Sequence, residues 1–245
     1  MFFRNPCTRA ALGVAAAVVL GTGCSETLTP EPTEQFAAWY APTQGAVALF
    51  VAVDTTFRFA TTSDLDTLVA QYVLRETVGG SETDAQGRTL RQVDRDTAAT
   101  QTGPFTFLDR YRVYTDNLLV ERLEGNLRTV PLQNPVAQNA EWDGNRYNNL
   151  GEQRYRYLDT DTTVTVSGQT YTGCLFVLQR QVTGSMLNED LTYEIYAPGL
   201  GLIERYDRQL RFFLETIRLP NGIDSVVQRV DTDNSRIEHR LRLPQ

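Results

Sequence analysis

Residues 209–230 read QLRFFLETIRLPNGIDSVVQRV, and this stretch decides the fold class. Gln209–Leu219 and Ile223–Val230 are rich in apolar, β-branched and aromatic residues, with charges interleaved, and Asn221-Gly222 lies between them. Asn-Gly tolerates positive φ at both central positions of a tight turn, the geometry whose twist matches two paired strands. The segment predicts an antiparallel hairpin. Upstream, Thr162–Val166 and Gln169–Gln179 flank Ser167-Gly168 and predict another. Between the two, Leu191–Tyr196 runs into the turn Ala197-Pro-Gly-Leu-Gly201, and Leu202–Tyr206 leaves it. At the end of the chain, Ile237, His239, Leu241 and Leu243 share one face of a strand, while Glu238, Arg240 and Arg242 share the other. His239 is thereby a sheet-facing residue.

The first half extends the pattern. Gly45–Phe59 and Leu68–Val78 read as strands, the second stopped by Gly79-Gly80. Residues 79–104 are polar and turn-rich apart from a weak strand near Leu90–Val93. Phe105–Tyr114, Asn117–Leu123 and Asn126–Leu132 follow as short strands. No helical stripe of useful length appears, and no Pro- or Gly-rich linker divides the chain after residue 45. The expectation is an all-β protein: one curved antiparallel sheet, a half-barrel or barrel of about ten strands, forming a single domain over 45–245.

The N-terminus reads as an address. Arg4 and Arg9 precede the apolar run Ala10–Leu20, which is too short to span a ~30 Å hydrocarbon core, and the small residues Gly21-Thr-Gly23 lead to Cys24. Residues 1–23 are expected to be a signal peptide. Residues 24–44, rich in Thr, Pro and Glu, form a tether whose far end, Phe36–Pro42, carries three aromatics able to dock on the domain. With Cys7 removed and Cys24 modified, only Cys174 remains, too few for an internal disulfide; its apolar surroundings make it an inert core thiol.

Composition narrows the function. The 245 residues carry 23 basic and 30 acidic side chains, a net charge of −7; loss of Arg4 and Arg9 leaves 21 against 30, or −9. An acidic chain without a basic run offers nothing to a phosphate backbone, so nucleic acid is not an expected partner. All the basic residues are arginine, which removes lysine Schiff-base chemistry, and the single histidine cannot seed a histidine cluster. Thirty threonines fit strands with one wet face.

Asp231-Thr-Asp-Asn-Ser235 opens like a calcium loop, but Arg236 and Arg242 stand where its glycine and closing glutamate belong. Asp159-Thr-Asp-Thr-Thr163 fares no better, and zinc has no ligand set, so no metal or cofactor is expected. Gly184-Ser185 lacks the second glycine of a nucleophile elbow, leaving Ser185 with the distant His239 as a poor hydrolase pair. Glu194 and Glu204 lie on strands joined by a tight turn and, if they faced each other, could form the acid–base pair of a glycosidase. The aromatic cluster is more suggestive. Trp142, Tyr147, Tyr155 and Tyr157, with Arg146 and neighbouring asparagines, combine ring faces and polar groups as a ligand or partner groove does, or anchor a long loop onto the sheet.

Three motifs, the lipobox-like Leu20-Gly-Thr-Gly-Cys24, Trp142-Asp-Gly-Asn-Arg-Tyr-Asn148 and Tyr193-Glu-Ile-Tyr-Ala-Pro-Gly-Leu-Gly-Leu-Ile203, carry a resemblance. With them the chain resembles uncharacterised lipoproteins exported to bacterial outer membranes. Residues 105–206 are similar in outline to the half-barrels of the LolA/LolB superfamily, whose curved sheet surrounds an apolar cavity that carries lipid-modified proteins. The resemblance implies that Cys24 is lipidated and, with Ser25 after it, that the anchor is in the outer membrane. It supplies no catalytic residue. The expectation is therefore a non-catalytic envelope lipoprotein, binding an apolar or envelope-derived ligand on the concave side of the sheet. The alternatives are an assembly partner acting through a sheet edge or the aromatic loop, and a glycosidase or esterase.

Overall fold

The computed structural model of the chain describes residues 39–40, 43–59 and 65–244. The expected signal peptide, Cys24 and the tether up to residue 38 lie outside the described residues.

The described chain is almost entirely strand: β1 (Val47–Phe59), β2 (Leu65–Thr83), β3 (Thr89–Ala98), β4 (Thr106–Thr115), β5 (Leu119–Glu124), β6 (Leu127–Gln133), β7 (Glu141–Asp143), β8 (Arg154–Val166), β9 (Gln169–Val182), β10 (Asn188–Ala197), β11 (Gly201–Arg218), β12 (Asp224–Val230) and β13 (Arg236–Arg242). Twelve of them form one antiparallel path in the order β6-β5-β4-β3-β2-β1-β13-β11-β10-β9-β8-β7, and β12 pairs with the outer part of β11. β1 and β13 bring the two halves of the chain side by side, with Phe50 opposite Arg242 and Thr56 opposite Arg236.

The two ends of this path meet, which turns the sheet into a nearly closed barrel. At the seam the Val130 amide donates to the Gly144 carbonyl at 2.8 Å, and the Trp142 indole N–H donates to the Val130 carbonyl at 2.7 Å. The Tyr157 hydroxyl donates to the Gln133 carbonyl at 2.9 Å and accepts from the Gln133 amide at 3.0 Å. Pro131 explains why side chains help here. Lacking an N–H, it interrupts the ladder of β6, and such a residue is tolerated where a strand has only one regular neighbour.

Both expected hairpins form. Val166 pairs with Gln169 across Ser167-Gly168, whose φ values of 49° and 81° supply the two left-handed positions of the tight turn. Leu219 and Ile223 bracket Asn221-Gly222. Three differences from the sequence reading are physical. Gly79-Gly80 does not stop β2, because a register shift between Val78 and Ser81 absorbs the glycines as a bulge. Leu202–Tyr206 and Gln209–Leu219 are one strand, β11. β7 and the first half of β8 add pairing in a region expected to be loop, and the strands number thirteen.

The registers also fix which residues face the lumen. Val113, Val120, Leu132, Trp142, Tyr157 and Tyr196 belong to one buried cluster that fills one side of the barrel. Each fully buried side chain of this kind contributes about 1.5–3 kcal/mol. A separate cluster, containing Cys174, Ile195 and Ile203, packs with Phe176, Tyr193 and Leu241 on the opposite face of the sheet.

Candidate functional site

The lumen is as much charged as apolar. Alternation along β10 sends Thr192, Glu194 and Tyr196 inward, and Glu194 lies beside Arg205 of β11, which lies beside Arg240 of β13. Glu194 is fully buried and accepts four hydrogen bonds. Arg122 (2.6 Å) and Arg205 (3.0 Å) donate to one oxygen, Gln179 (2.7 Å) and Tyr196 (2.5 Å) to the other. Burial alone would raise its pKa, but Arg122, Arg205 and the Tyr196 hydroxyl hold it below the ordinary carboxylate value. Arg122 lies 3.4 Å from Glu124, which also binds Arg95 at 2.7 Å, and Arg95 extends toward Glu76 at 3.9 Å. The Tyr111 hydroxyl donates to Glu76 at 3.1 Å. Most of these charges neutralise one another in place. The Nε atoms of Arg95, Arg122 and Arg205 are nonetheless buried without a hydrogen-bond partner.

Above this network, at the barrel end where residues 43–46 lead into β1, lies a chamber of about 280 Å³. Phe50, Val78, Val93 and Leu202 give it apolar walls, while Glu76, Tyr111, Arg122 and Arg242 give it polar ones. The turn Ala197–Gly201 forms its rim, with Gly199 and Gly201 at φ 73° and 81° allowing the tight reversal. The N-terminal segment sits against the same opening. The Trp39 indole donates to the Gly173 carbonyl at 2.8 Å, and the Tyr40 ring lines the chamber and meets Tyr196 edge-on at 6.0 Å. Burial pushes the Tyr40 phenol upward, so it remains a neutral hydroxyl. The docking expected of residues 36–42 is thus made by Trp39 and Tyr40; Phe36 lies outside the described residues. The expected continuous apolar cavity is not what the lumen provides, because the inward alternation of β2, β5 and β13 carries charges.

The aromatic cluster is a seam. Trp142, Tyr155 and Tyr157 are buried in the main core, with Trp142 and Tyr157 ring centroids 4.6 Å apart and Tyr155 edge-on to Trp142 at 6.0 Å. Tyr147 and Arg146 are exposed. Tyr147 lies under the Arg128 guanidinium at 4.2 Å, and Arg146 donates to the Gln133 side chain. The loop holds β6 to β7 rather than presenting a groove, since its largest rings are spent on packing.

The paired-carboxylate expectation fails on geometry. Glu204 pairs in register with Ile195, whereas Glu194 pairs with Arg205, so the two carboxylates lie on opposite faces of the sheet. Glu204 accepts from Tyr193 at 2.8 Å and contacts His239 at 3.0 Å on the outer face. Phe176, Tyr193, Tyr206 and His239 form a ring ladder across four strands there, with centroid separations of 5.0, 5.4 and 5.3 Å. The Ser185 hydroxyl donates to Asn188 at 2.7 Å and accepts from the Leu187 and Asn188 amides, closing its own turn. Asp231 likewise accepts from the Asp233 and Asn234 amides. Among the described residues no group of acidic, His or Cys side chains is placed to hold a metal ion.

No family model matches the chain, and no curated protein matches it. Among solved structures, the chain is similar to one described as a putative lipoprotein from Parabacteroides distasonis ATCC 8503, with 14% identity and a TM-score of 0.39 over 84% of this chain and 97% of that one.

Proposed function

We propose that the protein is a non-catalytic lipoprotein of the bacterial cell envelope, anchored through Cys24, whose barrel holds a small ligand in the chamber at its N-terminal end. The observation that carries the binding half is the chamber itself: about 280 Å³, with apolar and polar walls, and Tyr40 of the N-terminal segment in its lining. Ligand pockets combine apolar walls with a few polar groups in this way, and this one is near the small end of their usual ~300–1,000 Å³ range. The anchoring half rests on the sequence, where Arg4, Arg9, Ala10–Leu20 and Gly23-Cys24 follow the order of a lipoprotein signal. Ser25 after the cysteine favours the outer membrane. A non-catalytic role fits the lumen, because Glu194 and Arg122 are bound to each other and the outer Glu204 is tied to Tyr193 and His239.

One measurement tests both halves: native mass spectrometry of the full chain purified from a bacterial envelope. The expected result is a chain beginning at Cys24, heavier by its acyl groups, with an additional small mass that dissociates on collisional activation. A chain that keeps residues 1–23, or an unmodified Cys24, would overturn the anchor. A lipidated chain that never carries or accepts a noncovalent small molecule would overturn the ligand-holding barrel.

A further inference from the structure

Arg242 differs from the other arginines of the lumen. Arg95, Arg122, Arg205 and Arg240 each have a carboxylate within 4 Å. Arg242 is 7% exposed and has none among the described residues. Its Nη1 donates to the carbonyls of Leu200 (2.9 Å) and Leu202 (3.4 Å), and its guanidinium lies 6.0 Å from the centre of the Phe50 ring. All three of those residues line the chamber with it. Glu76 is the carboxylate whose field reaches it, but Glu76 lies beyond ion-pair distance and is engaged by Tyr111 and Arg95. A buried, formally unpaired cation at a cavity wall is costly unless an anion completes it. Burial accordingly pulls the Arg242 pKa down, against the weaker opposing influence of Tyr171 and Glu76.

Resting on the reading of the barrel as a ligand-holding module, we infer that the chamber takes a small carboxylate-bearing amphiphile, its carboxylate on the Arg242 guanidinium and its apolar body against Phe50, Val78 and Leu202. The planar guanidinium presents donors in the fork that a carboxylate accepts, and Nη1 alone is spent on the rim carbonyls. The volume limits the guest: about 280 Å³ lies near the small end of the ~300–1,000 Å³ range of ligand pockets, which suits a short-chain guest and not a whole diacyl lipid.

Octanoate and its neutral counterpart octanamide test the assignment, titrated calorimetrically at neutral pH into the full lipidated chain in nanodiscs, with empty nanodiscs subtracted. Octanoate is expected to bind roughly tenfold more tightly than octanamide, and Arg242→Gln to abolish that preference. Equal affinities in the wild-type chain would overturn the carboxylate assignment and leave the chamber standing as a binding site. Binding of neither probe would remove the chamber reading, and this inference with it. The wild-type comparison decides the matter even where Arg242→Gln does not fold.

Discussion

The Arg122 guanidinium on β5 meets the Glu194 carboxylate on β10 at 2.6 Å across the lumen, although 72 residues separate them in sequence. The two strands are not neighbours in the sheet, so the pair clamps opposite walls of the barrel. Removing one partner leaves the other with a single opposite charge in a dry interior, Glu194 with Arg205 or Arg122 with Glu124, so the cost should fall at the low end of the usual range, about 3 kcal/mol. Arg122→Met and Glu194→Gln are each expected to lose that much in urea denaturation. The double variant should lose clearly less than the sum, since neither charge is then left alone. Additive losses would show that the two side chains do not act as a pair.

Acid should loosen the same network. Burial would raise the Glu124 pKa, but Arg122, Arg95 and Arg205 more than offset it and bring it from 4.5 to about 2. A carboxylate lowered on folding stabilises the protein fully above its unfolded value. Here the contribution persists above about pH 4.5 and is lost as the pH falls toward about 2. Because 35% of the Glu124 side chain is accessible, screening reduces the effect to about 1–2 kcal/mol. Stability measured between pH 6 and pH 2 should therefore fall less steeply for Glu124→Gln than for the wild-type chain. Identical slopes would mean that Glu124 titrates no differently in the folded state.

Strand identity was legible where turn chemistry and alternation agreed, as at Ser167-Gly168 and Asn221-Gly222. Which face turns inward was not. Ile237, His239 and Leu241 alternate with Glu238 and Arg240, a pattern that ordinarily buries the apolar set. In the barrel, Arg240 lies beside Arg205 in the lumen, and His239 and Leu241 lie outside. Alternation records two faces without saying which is enclosed, and only the partners of Arg205 and Glu194 on distant strands decide that. Tyr155 and Tyr157 stand out in sequence as rings, but their alternation with Arg154 and Arg156 is also a strand signature, and it places them on the inner face of β8. Arg242, a lumenal arginine with no carboxylate within 4 Å among the described residues, looks in sequence like any wet-face arginine of a terminal strand. Its isolation arises only when β13 is laid between β1 and β11.

The seam gives a steric prediction. A methyl group on Gly144 would fall 2.5 Å from Cε1 and 2.6 Å from Cε2 of Tyr155, a rigid ring packed against Trp142. Neither atom belongs to a flexible tip that can swing aside, so Gly144→Ala must push the ring or the backbone that receives the Val130 hydrogen bond. Overpacking of this kind costs about 1–3 kcal/mol. Gly80→Ala is the control, since nothing lies within 4 Å of its Cβ position and its φ is ordinary. Thermal unfolding should separate the two, with Gly144→Ala clearly lowered and Gly80→Ala close to wild type. Equal melting temperatures would mean that the seam is not packed as described.

Tyr40 lines the chamber and Trp39 precedes it, both packed against the main core, so their hold should be local and measurable. The indole N–H has one partner, the Gly173 carbonyl, and the Tyr40 ring rests on Tyr196. A hydrogen bond of this sort contributes about 1 kcal/mol net, small against the stability of the whole barrel but comparable to the free energy of a short docked segment. Trp39→Phe keeps a ring and loses the donor; Trp39→Ala loses both. Hydrogen exchange at residues 43–46, where the Gly45 amide donates to the Val78 carbonyl at 2.8 Å, should quicken modestly in the first variant and strongly in the second. The strands β6 and β7, none of whose residues lines the chamber, should keep their protection in both. A loss of protection spread evenly over the barrel would make Trp39 part of the global core. Unchanged exchange at Gly45 in Trp39→Ala would mean that the segment is held by Tyr40 alone, and Tyr40→Ala should then produce the quickening that the tryptophan variants lack.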